Sequence, residues 1–322
     1  MMMLASISAR GAANAIGVSM ACLLGNGENT LPLGVPSYSS ARLWLLRVGY
    51  AKLTRPKTQA TDWVWIIDHT IQTGAEKCLV ILGVRQAQLR ADHTLCLQDV
   101  EPILIAPLRS STSSVVAAKL AEASALTGAP RAIVSDGGSD LRAGIRTYME
   151  THPNTAMLYD IHHKTALELK RCLERDETWQ EFTATVNRFK RIVQQTPLAS
   201  LAPPSQRGKA RFMNVDVLMR WCRTVLMPVY NTPLEHAERL GVSPAIIEAK
   251  LAWGGAYEAH IPRWDELCFT VEQCTDFIRR EGYHATAADT LAELLGSTKS
   301  TEVLALRERL LTFVREQSTA AK

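Results

Sequence analysis

The change of hydrophobic period near residue 113 constrains the fold more than any other feature of the chain. Before it, from Trp63 onward, the sequence runs through β-rich, near-continuous apolar stretches. Trp63-Val64-Trp65-Ile66-Ile67 ends in Asp68, and Lys77 to Val84 reads KCLVILGV. Runs of this length suit buried central strands. Thr94 to Val100 and Ile103 to Leu108 supply a third, less regular strand, broken by Pro102. After it, helix and strand alternate. Ser113 or Ser114 caps a helix to Leu126, stopped by Gly128 and Pro130. Arg131 to Asp136 is a strand ending in a carboxylate, and Gly137-Gly138 turns the chain. Ser139 or Asp140 caps a helix to about Glu150. Thr155 to Tyr159 is a strand ending in Asp160, and helix follows from about His163 to Gln195. The order β-β-β-α-β-α-β-α predicts an α/β fold: a mixed sheet with helices on both faces.

The remainder of the 322-residue chain divides around this core. Residues 1–58 read as irregular, with a short helix from Ala41 to Gly49 and a basic linker of Lys52, Arg55 and Lys57. The core takes 59–195. A mostly helical insertion takes 196–250, and C-terminal helices over 251–322 complete the core. A hydrophobic content of 47% with a net charge of +4 excludes a disordered chain. The slight excess of Lys and Arg permits a nucleic-acid partner. The seven cysteines include no C-x-x-C pair, which argues against a zinc ribbon or a disulfide scaffold and for small buried thiols in a reduced compartment. No apolar run reaches membrane-spanning length. Ala12 to Gly25 imitates a signal-peptide core, but only Arg10 precedes it as a cation and no A-x-A site follows. The expected location is therefore the cytoplasm.

Three strands end in aspartate, and ligand sites of α/β sheets gather at strand ends. Asp68 alone reads as well as a turn residue. Asp136 stands beside a glycine turn that lets backbone approach a ligand. Asp160, with His162, His163 and Lys164, suits metal or phosphate, or a solvated strand end. Together, carboxylates from several strands suit hard divalent cations, and two such ions about 4 Å apart serve phosphoryl transfer. No phosphate-cradling G-x-x-x-x-G-K-[ST] or dinucleotide G-x-G-x-x-G is present.

These residues carry a resemblance. Asp68 on the first strand and Asp136 after the fourth resemble the ribonuclease H-like core of DDE transposases. Pro36 to about Leu226 is similar to transposases of bacterial insertion sequences. The segments are Trp44-Leu45-Leu46-Arg47-Val48-Gly49-Tyr50, Asp62 to Gln72 (DWVWIIDHTIQ), Glu76 to Val84, Asp99-Val100-Glu101-Pro102, Tyr159 to Ala166 (YDIHHKTA) and Ala202-Pro203-Pro204. The resemblance implies DNA strand cleavage and transfer by two Mg²⁺ or Mn²⁺ ions held by Asp, Asp and Glu. The partners it implies are transposon ends, target DNA and further copies of the chain on DNA, in a nucleoid setting without a membrane. It also implies a DNA-binding helical domain before the core, of which residues 1–58 read as a remnant. A non-catalytic DNA-binding remnant and a ribonuclease H-like nuclease stay open beside the transposase.

The third acid has no fixed spacing and is argued from the helical part. Trp253, Tyr257 and Ile261 are four apart and predict one apolar stripe. Glu258 lies beside it, where it can reach an active-site edge, and Gly254 and Gly255 allow DNA or a strand to approach. Asp265 and Glu266 are its rivals, and Glu168 and Glu174 lie before the insertion. Arg207, Lys209 and Arg211 form a basic cluster suited to DNA phosphates or to a solvated loop.

Overall fold

The computed structural model describes residues 8–24, 37–73, 76–89, 95–205 and 215–321. Five strands form one mixed sheet in the order β3-β2-β1-β4-β5. β1 (Trp63–Thr73) pairs antiparallel with β2 (Glu76–Arg85), and β2 pairs antiparallel with β3 (Glu101–Leu108). β4 (Ala132–Ser135) lies parallel to β1 on its other side, and β5 (Ala156–Tyr159) lies parallel to β4. The predicted order of elements is the observed one, but Thr94 to Val100 adds nothing to the third strand: Leu97–Asp99 is a single 3-10 turn ahead of β3, and Thr94 lies outside the described residues. Pro102 does not break β3, as the sequence suggested, but lies within it. β3 is an edge strand, and a proline there removes no donor that a neighbour needs.

The sheet has two unlike faces. Trp63, Trp65 and Ile67 alternate inward with Leu79, Ile81 and Ile133. Against them pack Val116 and Leu120 of α3 (Ser113–Thr127) and Leu141, Ile145 and Tyr148 of α4 (Ser139–Thr151). Each fully buried Ile or Leu there contributes roughly 1.5–3 kcal/mol. The intervening residues Val64, Ile66 and Asp68 point to the opposite face, which remains half-buried at Val80, Leu82 and Val134.

A second, larger core is wholly helical. It begins with α5 (Ile161–Glu174) and α6 (Glu177–Val193), which the sequence reading had joined as one helix. Asp176 separates them. It caps α6 through the Trp179 amide and takes the Trp264 indole N–H at 2.7 Å and the Arg263 guanidinium. The insertion is helical in its described part: α7 (Val215–Trp221) runs through a π-turn (Cys222–Leu226) into α8 (Met227–Asn231), and α9 (Pro233–Leu240) and α10 (Pro244–Leu251) follow. α11 (Ile261–Glu281), α12 (Ala287–Leu295) and α13 (Thr301–Ala320) complete the chain. Gln317 of α13 accepts the outward N–H of Tyr159 at 2.7 Å, and the Tyr283 hydroxyl donates to the Tyr159 carbonyl. These two side chains occupy the last residue of β5 on the open edge, which blunts further strand pairing there.

The described residues of the 1–58 segment are less irregular than the sequence suggested. Helix α1 (Ala9–Leu24) and the longer α2 (Tyr38–Thr54) pack together. The basic linker is structural: Arg55 and the buried Lys57 both pair with Glu101 at the start of β3. All seven cysteines are free. Cys172, Cys222, Cys268 and Cys274 are buried, as expected, whereas Cys22 is exposed. Burial pushes the Cys222 and Cys274 thiols up to about 12. Among the described residues, no helix is long and apolar enough to cross a membrane.

Candidate functional site

Asp68 is not at a strand end. β1 continues to Thr73, and Asp68 sits within it, opposite Val80 of β2. On the other side, the last parallel pair is Ile67 with Ser135. Asp136 follows Ser135 directly, so the two aspartates are neighbours across the β1–β4 junction on the half-open face. One oxygen of Asp68, Oδ1, is buried and meets no hydrogen-bond donor. Asp136 Oδ1 accepts from the Gly138 amide at 3.0 Å, which fixes the turn after β4. Gly137 in that turn has φ +75°, and a Cβ there would lie 2.0 Å from the Tyr159 ring. Only glycine lets the turn close over Tyr159 in this way.

His69 points to the α3–α4 face beneath the pair. Its Nε2 lies 3.0 Å from Ser111 Oγ, and its Nδ1 lies 3.6 Å from Asp140 Oδ2. Burial alone would raise the Asp140 carboxyl. Hydrogen bonds from Ser111 and the Leu141 amide, with the nearby His69, hold it below the ordinary aspartate value. The sequence reads Ser139 or Asp140 as the cap of this helix. Instead α4 starts at Ser139 with Gly138 as its cap, and the Asp140 carboxylate ties α4 to β1 and to the loop before α3. The signal for this trio was weak, because Ser111, His69 and Asp140 are far apart in sequence.

Asp160 caps α5 by accepting from the His162 amide at 3.0 Å. The His163 ring lies beside Tyr159. The Tyr159 hydroxyl is raised by burial and by the charges of Asp136 and Asp160, against Arg171 and Arg142.

The helical acids lie elsewhere. Glu258 is exposed, directly after the 3-10 helix of Ala252–Tyr257. The predicted stripe does pack: Tyr257 and Ile261 are buried, and the Trp253 and Tyr257 rings lie near Phe182. Gly255 admits a side chain of the chain itself, not DNA, since a Cβ there would meet the Tyr230 hydroxyl at 2.3 Å. Asp265 is bound by Arg223 at 2.8 Å, and Glu266 faces Arg307 at 3.4 Å. Glu168 is buried and takes Lys164, Arg171 and Arg309 within 2.8 Å. Among the described residues, no three His, Cys, Asp or Glu side chains come close enough together to hold one metal ion. Strand register thus places Asp68 and Asp136 one residue beyond the paired Ile67 and Ser135, and among the described residues no metal-holding group joins Glu258 to them. Arg207, Lys209 and Arg211 lie outside the described residues.

In comparisons with known proteins, no family model matches the chain and no curated protein is significantly similar to it.

Proposed function

We propose that the chain is a metal-dependent DNA strand-cleaving and strand-transferring enzyme of the DDE transposase type, built on a ribonuclease H-like core. The observation that carries this reading is the Asp68–Asp136 pair: one carboxylate within β1 and one directly after the parallel β4, the first with a buried oxygen that no protein donor meets. Three antiparallel strands followed by two parallel ones, with acids on the first and after the fourth, fit the core that the sequence resemblance implies.

The pair suits Mg²⁺ or Mn²⁺. Hard divalent cations take carboxylate oxygens, and an unmet buried acceptor is stabilised by a cation at that point. Asp68 and Asp136 would hold the ion. When bound, it would lower the pKa of an attacking water or hydroxyl and neutralise charge on the scissile phosphate. The chain's own residues do the positioning. The strand register fixes the Asp68 backbone, and the Gly138 amide orients the Asp136 carboxylate. The tie between Asp140, His69 and Ser111 fixes the α3 and α4 ends under the pair.

The second reading, a folded DNA-binding remnant without catalysis, is favoured by one observation: no third acid joins the pair among the described residues. The test is Asp136→Asn, assayed for Mg²⁺- or Mn²⁺-dependent nicking of duplexes made from the DNA on either side of the coding sequence. The enzyme reading expects nicking by the parent chain and none by the variant, with melting temperatures within a few degrees, the range of about 1 kcal/mol. Nicking by the variant removes Asp136 from the site. Specific binding without nicking by the parent chain decides for the remnant. Glu258→Gln, Asp265→Asn and Glu266→Gln, run in parallel, assign the third acid.

A further inference from the structure

A recess of about 270 Å³ opens beside the Asp136 turn, where α4, β5, α5 and α13 meet. Arg142 and Arg146 stand one turn apart on the exposed side of α4 and both line it. Neither is paired with a carboxylate among the described residues. Lys164 of α5 lines it too, held by Glu168 at 2.8 Å and lying over the Phe313 ring. Its floor includes Tyr159, whose ring lies against Gly137 and so joins the recess to the turn that carries Asp136. Among the described residues Glu316 is the only acid in the lining.

Two unspent guanidinium groups at helical spacing are unusual in this region. Nearby cations are committed: Arg171 and Arg309 are both drawn to the buried Glu168. Guanidinium forks match the non-bridging oxygens of a phosphate in pairs, and planar bidentate contacts are what Arg supplies over Lys. A volume of about 270 Å³ admits a single phosphate with its sugar, not a base pair. The charges of Asp136 and Arg142 both act on the Tyr159 hydroxyl.

From this geometry we infer that the recess seats a backbone phosphate of the DNA strand, next to the phosphate presented to Asp68 and Asp136, with Arg142 and Arg146 taking its oxygens. This rests on the DNA reading of the site and names residues that hold the strand in place. It separates two jobs at one end of the sheet: the acids face the reacting phosphate, and the arginines fix the register of its neighbour. Phosphate contacts of this kind position a strand without reading its sequence.

The test is the salt dependence of binding, measured by fluorescence anisotropy of the full chain with a short labelled duplex of random sequence in EDTA. Each phosphate contact contributes about 0.9 to the slope of log K against log salt. Arg142→Ala with Arg146→Ala should therefore lower the slope by about two. Arg142→Lys with Arg146→Lys keeps the charge and should restore most of the slope. Arg279→Ala with Arg280→Ala removes two exposed cations at the C-terminal end of α11 that do not line the recess and should leave it unchanged. Both arginines of the recess are exposed, and unchanged melting of the variants checks that they fold. An unchanged slope in the Arg142/Arg146 double Ala variant, or an equal loss in the Arg279/Arg280 control, overturns the inference while leaving the carboxylate pair untouched. A parent chain that neither binds duplex nor nicks it overturns the DNA reading as well.

Discussion

Replacing Asp68 with Asn probes the site without any substrate. Asp68 Oδ1 is buried within β1 and meets no donor. A buried acceptor left unmet costs about 1–3 kcal/mol, and more when it belongs to a charged group. Asn removes the charge but keeps a carbonyl and adds donors that must be met, so it recovers only part, about 1 kcal/mol. Asp68→Val removes the polar group altogether and suits a strand. Opposite Val80 it should recover about 2 kcal/mol. In EDTA, Asp68→Asn should therefore melt above the parent chain by roughly 2–4 °C, and Asp68→Val higher still. Mg²⁺ should reverse the order. An ion at a hundred times its Kd adds about 2.7 kcal/mol to the state that binds it. The parent chain should gain this, and the two variants should not. Differential scanning fluorimetry across a Mg²⁺ series reads both effects. The reasoning fails if Asp68→Asn is less stable than the parent in EDTA by about 1 kcal/mol. It fails equally if Mg²⁺ stabilises parent and variant alike.

Two further outcomes follow from contacts away from Asp68. Burial alone would raise the Glu168 carboxyl, but hydrogen bonds from Lys164 and Arg309, with the charge of Arg171, hold it below the ordinary value of 4.5. Its folded pKa thus lies under the unfolded one, so its contribution is complete above about pH 4.5 and is lost as pH falls through the folded value. Glu168→Gln should cost about 2–3 kcal/mol at neutral pH, less than a fully buried pair because the cations are partly exposed, and almost nothing in acid. Urea denaturation at both pH values checks it, and an equal deficit at each would refute the ion-pair account. Gly137→Ala puts a Cβ 2.0 Å from the Tyr159 ring at a φ of +75°. Strain of about 1–3 kcal/mol should appear as lower stability, with loss of nicking as the Asp136 turn moves. Unaltered urea unfolding of this variant would mean that the turn yields freely.

The strands were legible because their signal is local. Trp63, Trp65 and Ile67 face the core in alternation, and β-rich runs need no knowledge of distant residues to be read. The length of β1 was not legible. After Ile67 the sequence turns polar, with His69, Thr70 and Gln72, and reads as a strand end. The hairpin with β2 carries the pairing on to Thr73 opposite Glu76, so partner backbone and not hydrophobicity sets where β1 stops. The same distinction explains the join between α5 and α6. Nothing in the local pattern around Asp176 forbids one helix, but Trp264 and Arg263, nearly ninety residues on, bind that carboxylate and hold it as a cap. Residues 9–24 looked irregular by periodicity, and their helix packs on α2, a contact that the local pattern does not encode.

The two aspartates and the third acid differ for this reason. Asp68 and Asp136 are placed by strand register, which sequence fixes once the strands are found. A helical acid is placed by tertiary packing, and the packing spends most of them: Glu168 on three cations, Asp265 on Arg223, Glu266 on Arg307. Moving any of these toward the pair would break an ion pair, and for Glu168 would strand buried charge. Glu258 is exposed and has no ion-pair partner among the described residues, so moving it breaks none. If a helical glutamate completes the site, the free energy of closing the helical part onto the sheet must come from DNA contacts made on the way. The energetically accessible candidate is then the uncommitted Glu258. On this argument Glu258→Gln should abolish nicking while leaving the melting temperature of the DNA-free chain unchanged. Asp265→Asn should lower that temperature by releasing Arg223.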